Sequence, residues 1–177
     1  PKGEYFRYAR CREQHCRNWW WRSFFQVFLL QGVLIWLISA PLWVAQAASS
    51  PARFTWVDGL AVVIWGIGFF FEALGDWQLM RFKADPANRG QVLTTGVWRY
   101  SRHPNYFGDG AQWVAFGIFA LGIGAWWSVY APILMNILLV RVSGVALLEK
   151  SLKQDKPRYA AYIARTSAYI PWFPKPS

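Results

Sequence analysis

The sequence predicts an all-α fold, a polytopic bundle of transmembrane helices with about four spans in this chain. Hydrophobic residues make up 55% of the 177 residues, and 13 of them are tryptophan, far above the usual content of a soluble domain. The apolar residues stand in blocks of about twenty, the length that crosses a bilayer core. Of the 19 lysines and arginines, 18 lie in three segments that flank these blocks: 1–22, 81–102 and 141–177.

The elements follow from these blocks in chain order. Residues 1–22 are basic and end in a tryptophan cluster typical of a membrane interface. The predicted spans cover residues 23–46, 57–82, 106–122 and 128–148. Pro51, a residue type that interrupts helices, marks the first loop. Residues 149–177 form a basic, aromatic tail. We interpret residues 1–177 as a single membrane domain.

The charge distribution predicts the orientation of the chain. Arg53 is the one basic residue outside the three basic segments, and an even number of spans places both ends on the same side. Because loops rich in lysine and arginine stay inside, residues 1–22 and the tail 149–177 are expected to be cytoplasmic. The same bias accounts for the formal charge of +10, so we expect no nucleic-acid partner.

Metal and covalent chemistry are disfavoured by the residue inventory. Cys11 and Cys16 flank His15, but their spacing matches no zinc pattern and supplies too few ligands. We interpret both cysteines as free thiols in a cytoplasmic segment. The chain has two histidines in all, and it contains neither a glycine-rich dinucleotide loop nor a phosphate-binding P-loop motif.

The most informative stretch is WRYSRHPNYFGD, residues 98–109, which gathers cationic and hydrogen-bonding side chains at the start of an apolar span. Arginine makes bidentate, charge-assisted bonds to phosphate, so Arg99 and Arg102 beside His103 predict an anion site. The alternative is that basic residues only set topology and contact lipid headgroups. We favour that alternative for the arginines of 1–22 taken singly.

Other polar residues lie at or near the ends of the spans and leave two interpretations open. Glu72 and Asp76 share one helix face, where a buried acid should meet protein, water or a ligand. Asp76 has the alternative of a salt bridge alone, and Asn105 that of a helix cap. Arg141 has the alternative of reaching lipid headgroups. Tyr159 and Tyr162 lie three residues apart on a short amphipathic helix of the tail, which either packs against the bundle or closes over a cofactor.

Three motifs resemble a known family. GVWRYSRHPNYFGD, FFFEALGDWQLMRFK and LLEKSL with RYAAYIARTSAYIPWFP are similar to the bacterial DUF1295 group related to steroid 5-alpha-reductases. The wider superfamily includes sterol C14 and C7 reductases and isoprenylcysteine carboxyl methyltransferases. The resemblance covers nearly the whole chain. It implies a bacterial inner-membrane enzyme that uses NADPH to reduce the C=C bond of an enone lipid, such as a 3-oxo-delta4 steroid.

The resemblance, together with the second polar set around Glu149, implies a cofactor site but no metal. The residues expected to bind NADPH are Asp76, Arg102, His103, Asn105, Tyr106, Asp109, Arg141, Glu149, Tyr162 and Arg165. No catalytic residue is assigned, because family members have six to seven helices and the resemblance places the catalytic acids upstream of Pro1. The alternatives are a methyltransferase that uses S-adenosylmethionine on a lipid-linked thiol or amine, and a non-enzymatic scaffold.

Overall fold

The computed structural model of the chain describes residues 18–48, 53–142, 145, 149 and 159–176. The chain divides into two compact units, Pro1–Ser39 and Ala40–Ser177, and each is described by itself. Within the described ranges the secondary structure is helical and contains no strand, which agrees with the predicted all-α class. The interpretation of Cys11 and Cys16 as free thiols concerns residues outside these ranges.

The first unit is a succession of helical segments. They are α1 (Trp19–Ser23), a π-helical segment (Phe24–Leu29) and α2 (Leu30–Ile38). The stretch Trp21–Ile38 is long and apolar enough to cross a membrane, and only 6% of it is buried within the chain. An amphipathic helix of a soluble domain would bury an apolar stripe against a core.

The predicted span 23–46 is not one helix. It ends at Ile38, and a new helix, α3 (Ala40–Ala47), begins after a turn at Ser39. The Ser39 N–H still donates to Ile35 O at 2.9 Å, while its Oγ donates to Trp36 O. Pro41 has no N–H to continue the hydrogen bonds of the preceding helix, and its ring would crowd the preceding turn. A proline is therefore tolerated in the first turn of a helix but not in its interior.

The longest element is α4 (Trp56–Ala84), which confirms the helix predicted for the second span. It begins with a reciprocal cap in which Asp58 accepts from Thr55 N at 2.7 Å and the Thr55 hydroxyl accepts from Asp58 N. It ends at Ala84, and Asp85 caps it immediately before Pro86. Its 29 residues rise about 43 Å at 1.5 Å each. Only 11% of its apolar stretch is buried, so most of its surface faces outward.

The other helices of the second unit pack around the helix that follows α4. Helix α5 (Pro104–Gly122) confirms the third predicted helix, and the fourth predicted span begins as a short 3-10 turn followed by α6 (Tyr130–Ile137). A π-helical segment (Leu138–Val142) continues α6. Two of the described helical stretches are long and apolar enough to span a membrane, Trp21–Ile38 and Trp56–Ala84.

Glycines let α4 and α5 approach at backbone distance. A β-carbon at Gly68 would lie 2.6 Å from Gly108 O, and one at Gly108 would lie 2.5 Å from Glu72 N. Further along, Gly75 lies against the first residues of α5, Pro104 and Asn105. Small residues at a crossing are the usual means of close packing between apolar helices. This crossing holds the polar start of α5 against the C-terminal half of α4.

Gly68→Ala is therefore expected to lower the free energy of unfolding by about 1–3 kcal/mol, the usual cost of overpacking. The neighbour at 2.6 Å is backbone and cannot rotate away. Gly66→Ala is the matched control, because nothing lies within 4 Å of a β-carbon at that position of the same helix. Denaturant unfolding of both variants checks this. Equal stability of the two variants would contradict the close crossing.

Candidate functional site

The connection between α4 and α5 is fastened to α4 by side-chain hydrogen bonds. The Trp98 indole donates to Gly75 O at 3.1 Å, and Gln78 Oε1 accepts from Val97 N at 3.1 Å. At the start of the connection, the Asp85 carboxylate accepts from Ala87 N at 2.9 Å. These bonds bring the stretch 98–103 back onto the end of α4.

The C-terminal segment closes over the same stretch. The Tyr162 hydroxyl, on α7 (Tyr159–Arg165), donates to the carbonyl of Trp98 and lies 3.2 Å from Ser101 O. Ser101 Oγ donates to Tyr169 O at 2.8 Å. Burial raises the pKa of Tyr162 above its ordinary value, so this phenol remains a hydrogen-bond donor at neutral pH.

The Arg102 guanidinium is the centre of the arrangement and is only 8% exposed. Its Nε and Nη2 lie 2.7 and 2.6 Å from Glu149 Oε1. Its Nη1 donates to Ile163 O at 3.0 Å and to Thr166 O at 2.6 Å. Most of its hydrogen-bonding capacity is thus used within the protein, so Arg102 joins the start of α5 to the C-terminal segment.

His103 is the most unusual polar group of the site. It is 3% exposed, and its Nε2 makes no hydrogen bond with any described residue. Glu149 Oε1 lies 3.5 Å away, beyond the ordinary range, and the ring stacks on Tyr106 with centroids 5.8 Å apart. Burial lowers the pKa of the imidazole to about 4; Glu149 opposes this shift and the Arg102 guanidinium adds to it. The ring is therefore neutral at pH 7.

A cavity of about 700 Å³ opens between the end of α4, the α4–α5 connection and α7. Five of the predicted cofactor residues line it: Arg102, His103, Asn105, Tyr106 and Tyr162. This volume lies within the range of small-molecule sites. The structure thus brings the polar stretch of the sequence and the helix of the tail to one cavity.

Five other polar residues of this cavity are not among the predicted cofactor residues. They are Lys83, Asp85, Asn88, Arg89 and Tyr159, the last of which the sequence pattern had paired with Tyr162. Burial raises the pKa of Tyr159 to about 12, and its buried hydroxyl has no hydrogen-bond partner among the described residues. The first four lie at the end of α4 and on the connection. Their charge and polarity were visible in the sequence, but the path of the connection was not.

Three predicted residues lie beside the cavity rather than on its wall. Asp76 accepts from Asn105 Nδ2 at 2.8 Å and so orients the amide. Glu149 holds Arg102. Asp109 lies on α5 one turn beyond Asn105 and interacts electrostatically with Glu72. The first two act on residues that line the cavity, whereas Asp109 belongs to the α4–α5 interface.

The last two predicted residues lie elsewhere. Arg165 lines a second cleft of about 500 Å³ together with Arg99, and this cleft shares Val92 and Tyr162 with the cavity. Arg141 lines a separate groove between α5 and α6. Arg165 therefore lies next to the cavity, and Arg141 lies apart from it.

A family model matches most of the chain. The model of DUF1295, described as a protein of unknown function, matches residues 1–166. A relative from Schizosaccharomyces pombe, uncharacterized protein C594.04c, is 25% identical over 191 residues, which cover 95% of this chain and 55% of the relative. The chain thus spans about half the length of this curated relative. No solved structure matches the chain. Because the family model covers nearly the whole sequence, the chain belongs to the DUF1295 family, as its motifs predicted.

Proposed function

We propose that this protein is a membrane-embedded oxidoreductase that binds NADPH in the cavity beneath α7 and reduces the C=C bond of an enone lipid. The observation that carries the proposal is a cavity with basic groups on its wall and two buried, unsatisfied polar atoms. These atoms are His103 Nε2 and the Tyr159 hydroxyl, neither of which has a hydrogen-bond partner among the described residues. Buried polar atoms without partners are rare and call for a ligand or an ordered water.

The donor set suits a phosphorylated dinucleotide. Lys83 and Arg89 supply cations to the cavity, and Arg99 and Arg165 supply two more to the adjoining cleft. Lysine and arginine bind phosphate through charge-assisted hydrogen bonds. The two spaces share the lining residues Val92 and Tyr162, so the four cations belong to adjoining parts of the surface. We assign the phosphates to these four cations rather than to Arg102, because most of the hydrogen-bonding capacity of its guanidinium is used within the protein.

The remaining wall suits the uncharged parts of the cofactor. Asn105, held by Asp76, presents an amide that can bond a carboxamide or a ribose. Neutral His103 offers one ring nitrogen to the ligand, and Tyr159 offers a phenolic donor. When bound, NADPH supplies the hydride for the reduction. The chain's own residues orient the cofactor and keep water from it.

The proposed location is the cytoplasmic side of a bacterial inner membrane, with both ends of the chain cytoplasmic. The outward apolar surfaces of Trp21–Ile38 and α4 support a lipid environment, because a soluble domain would bury such stripes. The basic segment 81–102 supports the cytoplasmic side. We infer a flat, apolar substrate that approaches from the bilayer.

Methyl transfer from S-adenosylmethionine is the second candidate from the same superfamily. That cofactor carries no phosphate, whereas the two adjoining spaces hold Lys83, Arg89, Arg99 and Arg165. Four cations around a cofactor that bears a sulfonium cation would be unfavourable at close range. This charge distribution favours NADPH.

Removing the cations of the cavity is expected to weaken NADPH binding. Lys83→Gln and Arg89→Gln should each raise the Kd about tenfold or more, because a hydrogen bond to a charged group contributes about 1.5–3 kcal/mol. Arg81→Gln is the control: Arg81 lies on the same helix, stacks over Trp77 at 5.0 Å and does not line the cavity. Calorimetric titration checks this. An equal loss of affinity in all three variants would contradict the assignment.

The reaction itself is tested in lipid vesicles that contain the full chain. With NADPH and a 3-oxo-delta4 steroid, we expect cofactor oxidation that matches the loss of the enone mole for mole. S-adenosylmethionine with a lipid-linked thiol should give no methylated product. Methyl transfer without cofactor oxidation would reverse the order of the two candidates.

A further inference from the structure

A third concave surface, separate from the cavity and its adjoining cleft, lies along α5. It is a groove of about 610 Å³ between α5 and the α6–π segment, and its walls share no residue with the cavity of the candidate site. Aliphatic side chains make up most of the walls, among them Val114, Ile118, Ile133 and Ile137. Arg141 also lines the groove.

The middle of the groove is apolar although Asn136 belongs to it. Asn136 Nδ2 donates to Pro132 O at 2.8 Å and to Gly110 O at 3.3 Å, and its Oδ1 accepts from the Tyr169 hydroxyl at 2.6 Å. The amide is therefore satisfied inside the protein. Arg141 is thus the charged residue of the groove, and it is exposed.

We propose that this groove binds one acyl chain of an anionic glycerophospholipid, whose headgroup phosphate pairs with Arg141. The groove runs from Val129 to Arg141, about 18 Å along the helix, while one leaflet of the hydrocarbon core is about 15 Å thick. Charge complementarity favours an anionic lipid. Arg141 lies at the end of the groove that the charge distribution assigns to the cytoplasmic side, where a headgroup phosphate would meet it.

The inference rests on the membrane location in the proposed function but not on NADPH. The side chain of Arg141 is exposed, and the ion pairs of the described residues do not involve it. An arginine near an anionic surface contributes about 1 kcal/mol, which corresponds to about fivefold in affinity. Arg141 would thus discriminate between lipid headgroups rather than between substrates.

Native mass spectrometry of the full chain, released from micelles that contain equal phosphatidylglycerol and phosphatidylcholine, tests the proposal. We expect about fivefold preferential retention of phosphatidylglycerol, and the loss of this preference in Arg141→Gln. Arg22→Gln is the matched control, because it is also exposed and belongs to a predicted cytoplasmic basic segment but does not line the groove. Equal retention of both lipids, or a preference that survives Arg141→Gln, would overturn the proposal.

A second pair of variants tests the acyl chain separately from the charge. Val114→Trp fills the groove and should reduce the number of retained lipids, whereas Val62→Trp on the exposed face of α4 should not. A dimer in place of a lipid adduct would identify a second copy as the occupant and refute the assignment. Because no NADPH is present, failure of the cofactor proposal leaves these outcomes unaffected.

Discussion

Arg102→Met is expected to lower the free energy of unfolding by about 3–5 kcal/mol. The substitution removes the partner of Glu149, which is only 14% exposed, and leaves that carboxylate without its close cation. It also removes the donor to the carbonyls of Ile163 and Thr166 at the end of α7. The C-terminal part of the helix that covers the cavity would thus lose its hydrogen bonds to the residue two positions before α5. Denaturant unfolding followed by circular dichroism measures the change.

Arg99→Met is the matched control for Arg102→Met. Arg99 is three residues away and exposed, so its substitution should change the free energy of unfolding by less than about 0.5 kcal/mol. Arg102→Lys keeps the charge but not the planar guanidinium with its several donors, so its free energy of unfolding should lie between those of the two methionine variants. If Arg102→Met were as stable as Arg99→Met, the role of Arg102 as a structural tie would be refuted.

The stability of the fold should fall in mild acid because of His103. The ordinary pKa of histidine is 6.5, and in the folded chain burial lowers that of His103 to about 4. Between these values the unfolded chain binds a proton that the folded chain does not. The full contribution is therefore present above pH 6.5 and is lost as the pH falls toward 4. The loss reaches about 3 kcal/mol, at 1.36 kcal/mol for each pKa unit.

His103→Gln isolates this contribution. Glutamine fills a similar space without titrating, so the free energy of unfolding of this variant should change much less between pH 6.5 and 4.5. The other histidine, His15, is present in both proteins and cancels in the comparison. The same pH dependence in wild type and variant would show that His103 is not held neutral by burial.

The helices were predictable because their signals are local. The apolar block and the Thr55–Asp58 cap define α4, and Pro104 at the first helical position defines the start of α5. The break at Ser39 was not predicted, because hydropathy is continuous through it. The signal that could have revealed it is Pro41, two residues later.

The candidate site was predictable only in part. Residues 98–109 stood out because they cluster in the sequence, and five of them line the cavity. Lys83 and Arg89 were not selected, because their positions depend on the path of the connection after α4. The role of Arg102 was also hidden, since its partner Glu149 lies 47 residues away and bonds at this separation leave no local pattern.

These positions give the site two kinds of basic residue. Arg102 holds the fold together and has few bonds left for a ligand, whereas the side chains of Lys83 and Arg89 line the cavity. Mutations of the two kinds should therefore differ in whether they lower stability or cofactor affinity. Loss of Arg102 should appear first as lower stability, and loss of Lys83 or Arg89 as weaker cofactor binding at unchanged stability.

Thermal stabilisation of the purified full chain by NADPH, compared with S-adenosylmethionine, tests the central claim most directly. A ligand that binds only the folded chain stabilises it by about 2.7 kcal/mol at a hundred times its Kd. We expect NADPH to raise the Tm, S-adenosylmethionine to leave it unchanged, and Lys83→Gln with Arg89→Gln to remove most of the NADPH effect. A rise in Tm with S-adenosylmethionine and none with NADPH would contradict the proposed function.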